Sequence, residues 1–166
     1  KIANNKFIGL LHSRLKIIDL NTRSNQPFEI DDLIIVFNGE IYNYIELRKN
    51  LEKKKIKLRT KSDTEVLLLY YKIYGEKCVD YFEGMWSFAI YDKKKKIIFL
   101  SRDRFGEKPL YYQYNEGNLV FGSNLNYINC INRNKNILNK KKILDYIKLG
   151  WRTLHSSNDT FYEKVF

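Results

Sequence analysis

Short runs of apolar and β-branched residues recur along the chain, and each run has the length of a strand rather than a helix. The predicted strands cover residues 8–11, 33–37, 82–92, 97–100, 110–114 and 119–122. The central run, residues 33–37, follows the acidic pair Asp31-Asp32 and is expected to end at Asn38. Polar turns divide the last four runs into two adjacent pairs, which predicts two antiparallel hairpins.

Three further segments carry apolar residues at helical spacing, and they are residues 42–56, 64–74 and 139–149. Ser62 and Glu65, at the start of the second segment, have the spacing of a capping box, and Gly150 ends the third. Residues 21–27 and 101–109 have the composition of loops. This order of elements predicts an α+β domain with mostly antiparallel sheet. With the first two helices packed on one face, the central strands of the sheet are expected at residues 33–37, 86–90 and 97–100.

The pair Asn38-Gly39 at the end of the central run has two interpretations. An Asn-Gly pair often forms a hairpin turn, because glycine accepts a positive φ. The same pair offers two hydrogen-bond donors side by side, the side-chain amide of Asn38 and the main-chain N–H of Gly39. Two such donors form an oxyanion hole, which stabilises the charge that develops on a tetrahedral intermediate. The pair alone does not decide between these alternatives.

The chain has 166 residues and a formal net charge of +11, which makes nucleic acid a candidate partner. The basic residues are mostly lysines in runs, at residues 53–55, 93–96 and 140–142. This pattern favours a solvated basic surface over a nucleic-acid interface, so no nucleic-acid partner is expected. There is no long apolar stretch and no signal-peptide pattern, so we expect no membrane partner and a cytoplasmic location.

The two cysteines, Cys78 and Cys130, are far apart and give neither a metal-ligand spacing nor a disulfide framework. We therefore expect inert thiols in the core or at element boundaries, and no metal site.

Six motifs together carry a resemblance to a known family. They are NGEIYNY at residues 38–44, HSRLKIID at 12–19, QP at 26–27, SDTEV at 62–66, GMWSFA at 84–89 and RDRFGEKPLYY at 102–112. In their order along the chain, they resemble the motifs of the class II glutamine amidotransferases, specifically the asparagine synthetase type. The resemblance covers about residues 8 to 150.

The resemblance implies an N-terminal-nucleophile hydrolase fold, a four-layer α/β/β/α sandwich with mostly antiparallel sheets. On this resemblance, residues 1–166 form one amidotransferase type 2 domain that is incomplete at both ends. Residues 139–166 would lead toward a synthetase domain. In the family the nucleophile is a cysteine at the mature N-terminus, with its own amine as the base. The chain begins at Lys1 and has no such cysteine. We therefore expect the chain alone to be inactive as a glutaminase.

The resemblance also implies a glutamine site, with an oxyanion hole at Asn38 and Gly39. The expected glutamine-binding residues are Arg14, Leu15, Lys16, Ile17, Ile18, Asn38, Gly39, Glu40 and Asp63. Arg14 would pair with the α-carboxylate in bidentate geometry, and its alternative role is a surface ion pair. Asp63 would pair with the α-ammonium, and its alternative role is to complement the helix dipole.

Four other polar residues of the motifs have less direct expected roles. Glu40 either helps to hold the ammonium or acts as an acid at the start of a helix, and the two alternatives are about even. Arg102 and Asp103 are expected to be structural, in a polar loop that supports the site. His12 is expected to be a core or loop histidine rather than a base.

The implied function is hydrolysis of glutamine to glutamate, with the ammonia passed to an ATP-activated carboxylate, for which aspartate is favoured. The implied partners are glutamine and a synthetase domain in the same polypeptide, and a homodimer stays open. No cofactor is implied in this domain, while ATP and Mg would bind in the synthetase domain. One alternative is a relative without a nucleophile that acts as a glutamine-binding or scaffold domain. Another is an amidotransferase of surface-polysaccharide biosynthesis.

Overall fold

Four antiparallel strands form the sheet that contains the predicted central run. The computed structural model describes residues 7–131, 137–151 and 157–166. The strand order is β1-β2-β3-β4, and the strands are β1 (Phe28–Ile30), β2 (Leu33–Ile41), β3 (Gly84–Asp92) and β4 (Ile97–Arg102). Each strand pairs with its neighbours in antiparallel register. Asp31 and Lys96, in the turns after β1 and after β3, both adopt a positive φ.

One face of this sheet builds the core of the first unit. Successive strand residues point to opposite faces, so β2 buries alternate apolar side chains and places Phe37 directly opposite Phe88 of β3. The helices α1 (Tyr44–Lys53) and α2 (Asp63–Tyr74) contribute side chains to the same core cluster. Leu67 of α2 is fully buried there. The expected packing of both helices with one sheet face is therefore confirmed.

The start of α2 follows the predicted cap in part. Ser62 is the N-cap, and its hydroxyl accepts a hydrogen bond from Thr64 N at 3.1 Å. The buried Glu65 carboxylate does not complete the capping box on Ser62. It accepts hydrogen bonds from the main-chain N–H groups of Arg59 at 2.8 Å and Thr60 at 2.6 Å. Glu65 therefore holds the loop that leads into the helix, rather than the cap residue itself.

The chain divides into two compact units at Lys108–Pro109. The second unit contains the hairpin β5 (Tyr111–Asn115) and β6 (Asn118–Gly122) and the helices α3 (Leu125–Ile131) and α4 (Lys140–Leu149). Asn139 caps α4 by accepting a hydrogen bond from Lys142 N, and Gly150 follows its last turn. No helix within the described ranges is both long and apolar enough to span a bilayer.

The α+β class and the antiparallel pairing of the sheets are confirmed, but four expectations about single elements are wrong. Residues 8–11 do not form a strand, because no described strand pairs with them. The central strand does not end at Asn38 but continues to Ile41, because β3 pairs with it along its full length. Residues 97–100 lie in an edge strand of the described sheet rather than a central one. The first helix ends at Lys53 instead of Ile56, because Lys55 adopts a positive φ of 60° that an α-helix cannot contain.

Candidate functional site

A cleft of about 180 Å³ lies in the first unit, and residues from six places in the sequence line it. Its lining comprises His12, Ser13, Arg14, Leu15, Ile17, Ile18, Gln26, Phe37, Asn38, Gly39, Glu40, Ser62, Asp63, Thr64, Met85 and Lys108. All but one of the predicted glutamine-binding residues are in this lining. The exception is Lys16, which is exposed and lies outside it.

The Asn38-Gly39 pair lies inside β2, opposite Ser87 and Trp86 of β3, so the hairpin-turn alternative is wrong. Gly39 has a φ of 152°, a conformation that residues with a side chain rarely adopt. A Cβ atom at this position would lie 2.2 Å from Met85 O, well inside van der Waals contact. The glycine is therefore required by the close approach of β3, and it keeps the main chain next to Asn38 at the wall of the cleft.

Gln26 acts as a substitute strand partner next to Asn38. The pairing of β1 with β2 extends only as far as Ile35. Beyond it, the side-chain amide of Gln26 accepts a hydrogen bond from Phe37 N at 2.6 Å and donates one to Phe37 O at 3.1 Å. The sequence motif contained Gln26, but no role was predicted for it. Both hydrogen-bonding groups of the residue before Asn38 are thus satisfied, as buried main-chain groups require.

Asp63 gives the cleft a buried carboxyl group. Its oxygens accept hydrogen bonds from Ile41 N at 3.1 Å, Thr64 N at 2.9 Å and the Ser62 hydroxyl at 3.3 Å. Burial raises the pKa of Asp63 despite these donors, and the nearby Glu40 raises it further. A buried carboxylate beside a second acid is stabilised by a cation, so this end of the cleft is suited to an ammonium group.

Arg14 is held by the loop in which it lies. Its guanidinium donates hydrogen bonds to Ile18 O at 2.8 Å, Asn21 O at 3.1 Å and Asn25 Oδ1 at 3.2 Å. It also donates one to Asp19 O. Arg14 forms no ion pair with any residue in the described ranges, so its alternative role as a surface ion pair is not observed. These acceptors use all four Nη N–H groups of Arg14, so only its Nε N–H is left for a ligand and the expected bidentate pair is not available in this conformation.

The hydrogen-bond donors around the half-buried Asp19 show its role in the structure. Asp19 accepts hydrogen bonds from Lys61 N at 2.7 Å and from the Ser24 hydroxyl at 2.9 Å. The main-chain hydrogen bond from Lys61, more than any other contact, lowers the pKa of Asp19 to about 2. Sequence analysis predicted no role for Asp19, since its position within a loop motif does not show which donors surround it.

Asp103 organises the loop that follows β4. Its carboxylate accepts hydrogen bonds from four main-chain N–H groups, those of Trp86, Phe105, Glu107 and Lys108. Burial by itself would raise the pKa of Asp103, but these donors outweigh it and the pKa is lowered. Arg102 adds hydrogen bonds to Gly106 O and Lys108 O. These contacts agree with the expected structural role of the loop, whose Lys108 reaches the cleft lining.

His12 and the cysteines supply no obvious reactive group. Burial is the main cause that lowers the pKa of His12, against an opposing hydrogen bond with the main chain of Phe37. Its Nδ1 is buried without a hydrogen-bond partner among the described residues. Cys78 is buried, and burial raises the pKa of its thiol to about 12. Cys130 is exposed on α3 instead of lying in the core, and neither cysteine lines the cleft.

Comparison with known proteins identifies relatives of the whole chain. The family model described as the glutamine amidotransferase domain matches residues 1–166. A Methanocaldococcus jannaschii protein, named provisionally as a glutamine-hydrolysing asparagine synthetase, is 44% identical over 89% of this chain and 32% of its own length. Asparagine synthetase (glutamine-hydrolysing) 1 of Bacillus subtilis is 36% identical over 98% of this chain and 26% of its own length. The chain thus spans about a third or less of these relatives.

A solved structure shows the same fold. Glutamine phosphoribosylpyrophosphate amidotransferase from B. subtilis, complexed with ADP and GMP, matches with a TM-score of 0.57 and 24% identity. The match covers 68% of this chain and 26% of that protein. The fold class implied by the sequence motifs, that of the N-terminal-nucleophile amidotransferases, is confirmed. Because the family model matches its whole length, the chain belongs to the glutamine amidotransferase domain family.

Proposed function

We propose that the cleft binds glutamine and that the chain is the glutaminase domain of a glutamine-hydrolysing asparagine synthetase. One observation carries this proposal. Segments that are distant in sequence bring Arg14, Asn38, Gly39, Glu40 and Asp63 to the lining of one cleft. Family membership alone would not require these side chains to meet, so their convergence supports the binding site independently.

The charges in the cleft complement the two ends of the amino-acid group. The buried Asp63, with Glu40 beside it, would receive the α-ammonium, which would stabilise a carboxylate whose pKa burial has raised. Arg14, which its loop holds in place, would receive the α-carboxylate through a charge-assisted hydrogen bond. Main-chain groups near Ile17 and Ile18, which also line the cleft, would complete the contacts.

The side-chain amide of glutamine would then lie at Asn38 and Gly39. Attack on the amide carbon by a nucleophile places negative charge on the carbonyl oxygen. The proton that the nucleophile gives up passes to the amide nitrogen, the C–N bond breaks to release ammonia, and water then hydrolyses the acyl intermediate to glutamate. The Asn38 amide and the Gly39 N–H would donate hydrogen bonds to that carbonyl oxygen. The described lining contains no cysteine, so its residues supply binding and charge stabilisation rather than the nucleophile.

The relatives suggest where the ammonia goes. Both are named as asparagine synthetases, and both are about three times as long as this chain or longer. We infer that a synthetase domain in the same polypeptide uses the ammonia to amidate an ATP-activated carboxylate, with aspartate as the favoured acceptor. ATP and Mg would bind in that domain and not in the cleft described above.

Calorimetric titration of the 166-residue chain with three ligands tests the binding site. The ligands are L-glutamine, glutaramate, which has hydrogen in place of the α-ammonium, and glutaminamide, whose α-carboxylate is an amide. A hydrogen bond to a charged group contributes about 1.5–3 kcal/mol. Each analogue should therefore bind roughly 10- to 150-fold more weakly than glutamine.

The three affinities separate the two charged contacts without altering the protein. If only glutaramate binds more weakly than glutamine, the result would support Asp63 as the partner of the α-ammonium and contradict Arg14 as the partner of the α-carboxylate. Equal affinity for all three ligands, or no binding of glutamine, would contradict the proposed site.

A further inference from the structure

A single acidic residue joins the two walls of the cleft. Arg14 lies in the segment that precedes β1, and Asp63 lies at the start of α2, with more than 40 residues between them in sequence. Asp19 contacts both sides at once. Its main-chain carbonyl accepts a hydrogen bond from the Arg14 guanidinium, and its carboxylate accepts one from Lys61 N at 2.7 Å.

The carboxylate of Asp19 is itself held firmly. Its side chain is 6% exposed, and it accepts further hydrogen bonds from the Ser24 hydroxyl at 2.9 Å and from Asn21 N at 3.2 Å. Arg23 adds an ion pair at 3.6 Å. The residue adopts a positive φ of 51°, a conformation that Asp and Asn tolerate better than other residues with side chains.

The contact with Lys61 lies close to the ammonium end of the cleft. Lys61 directly precedes Ser62 and Asp63, and Ser62 is the N-cap of α2. A shift of the Lys61 main chain would therefore move Asp63 relative to Arg14. On the other side, the Asp19 carbonyl fixes the guanidinium that would bind the carboxylate. Groups in a binding site must keep their relative positions within about 0.5 Å to act together.

We propose that Asp19 is a positioning residue. It sets the distance between the two walls of the cleft, the segment that contains Arg14 and the start of α2 that contains Asp63, so that both can bind one amino acid at the same time. This inference rests on the proposed function, since it assumes that glutamine bridges the two walls. It assigns Asp19 no contact with the ligand, because Asp19 is not part of the cleft lining.

The test compares Asp19→Asn with the wild-type chain in titrations with glutamine, glutaramate and glutaminamide. Asn keeps the shape and the tolerance of positive φ, but it lacks the charge and the second acceptor oxygen. Loss of the charged acceptor should weaken glutamine binding about tenfold, because glutamine needs both walls in register. Each analogue uses one wall only, so its affinity should change less than about twofold.

A matched control is available at the far end of β3. Asp92 has a side chain that is 7% exposed, accepts a hydrogen bond from Lys95 N at 2.8 Å and forms an ion pair with Lys95 at 3.6 Å. It lies seven residues beyond Met85 of the cleft lining, about 23 Å along the strand. Asp92→Asn should leave all three affinities at their wild-type values.

The outcomes separate this inference from the proposed function. If the wild-type chain binds all three ligands equally, or does not bind glutamine, the proposed function is wrong and the inference falls with it. If only one analogue binds more weakly than glutamine, glutamine does not bridge the two walls, and the inference alone is wrong. If the preference is present but Asp19→Asn weakens all three ligands by the same factor, Asp19 has only a general structural role. Unchanged glutamine affinity in Asp19→Asn would also overturn the inference.

A second measurement needs no variant and so covers the case in which Asp19→Asn fails to fold. Hydrogen exchange of the Lys61 amide reports directly on its bond to Asp19. Saturating glutamine should slow this exchange severalfold, whereas saturating glutaramate or glutaminamide should not. Exchange that is the same with all three ligands would contradict the coupling of the two walls.

Discussion

If Asp63 receives the α-ammonium as proposed, glutamine binding should depend on pH. Burial raises the pKa of Asp63 above the ordinary value of 3.8, and an ammonium beside it would favour the ionised form. Glutamine affinity should therefore be highest well above this raised pKa, and it should fall as pH decreases through it, at a pH above 3.8. Titration of the wild-type chain at several pH values checks this.

Glutaramate provides the control for the pH dependence, since it lacks the ammonium but meets the same His12, Glu40 and Arg14. The carboxyl group of glutaramate itself titrates near the value of a Glu side chain, about 4.3, so its affinity is first corrected for that titration. The corrected affinity should not fall over the same range. If both ligands lose affinity in parallel as the pH decreases, the ionised Asp63 is not the partner of the ammonium.

Asn38 should affect turnover far more than binding. In the proposed function its side-chain amide would donate to charge that exists only in the tetrahedral intermediate, so loss of this donor should lower turnover about 10²–10³-fold. Glutamine affinity should change much less, because the ground state carries little charge on that oxygen. Steady-state kinetics of Asn38→Ala, measured in a glutaminase-active polypeptide that contains this domain, give both quantities.

Arg14→Ala is the opposite case and serves as the comparison. The proposed contact of Arg14 with the α-carboxylate would already exist in the ground state, so Arg14→Ala should weaken glutamine binding first. The reaction driven by added ammonia should survive both substitutions, because it bypasses glutamine. An Asn38→Ala enzyme with normal glutamine turnover would show that the Asn38 amide is not an oxyanion donor.

The pairing of β2 with β3 depends on the absence of a side chain at Gly39. A Cβ there would lie 2.2 Å from Met85 O and 2.8 Å from Trp86 Cα, and both are main-chain atoms that cannot move independently. We expect Gly39→Ala to lower the free energy of unfolding by more than about 3 kcal/mol, since strand separation adds to backbone strain. Urea denaturation measures the loss.

Gly75→Ala is the matched substitution for this experiment. Gly75 also has a positive φ, 62°, but a Cβ there would meet no atom within 4 Å. Gly75→Ala should lower the free energy of unfolding only by the backbone strain, about 1–2 kcal/mol. If the two substitutions destabilise the chain equally, the close approach of β3 at Gly39 is not what requires the glycine.

The elements were predictable where local pattern and pairing agree. The continuous apolar run of residues 33–37 predicted β2, and the N-cap at Ser62 predicted the start of α2. The end of β2 was not predictable, because Asn38-Gly39 has the sequence of a turn and only the partner strand keeps it extended. The strand predicted at residues 8–11 is not formed for a related reason: an apolar run becomes a strand only when another strand pairs with it.

At the scale of the whole molecule, the motifs predicted which residues meet, but not what holds them. Arg14, Asn38 and Asp63 were placed in one site from sequence, and all three line the cleft. The supporting contacts of Gln26 with Phe37 and of Asp19 with Lys61 were missed. They join a side chain to a distant main chain, and no periodicity or spacing along the sequence records such a bond.

Acid stability of the first unit should depend on Asp103. Its folded pKa is lowered, so the stability it contributes is present above the ordinary value of 3.8 and is lost as pH falls through the folded pKa. Asp103→Asn should therefore be less stable than wild type at pH 6, and the difference should shrink as the pH decreases below 3.8. Urea unfolding at three pH values checks this, with the exposed Asp80→Asn as the control. A difference that is constant with pH would show that the charge of Asp103 is not involved.

The most direct test of the central claim is the location of glutamine on the chain. Amide chemical shifts of the 166-residue chain, recorded by NMR as L-glutamine is added, report where it binds. The largest changes should fall on residues 12–18, 38–40 and 61–64, with none at the β3–β4 turn of residues 93–96. Changes confined to other parts of the chain, or no changes at saturating glutamine, would contradict the assignment of this cleft as the glutamine site.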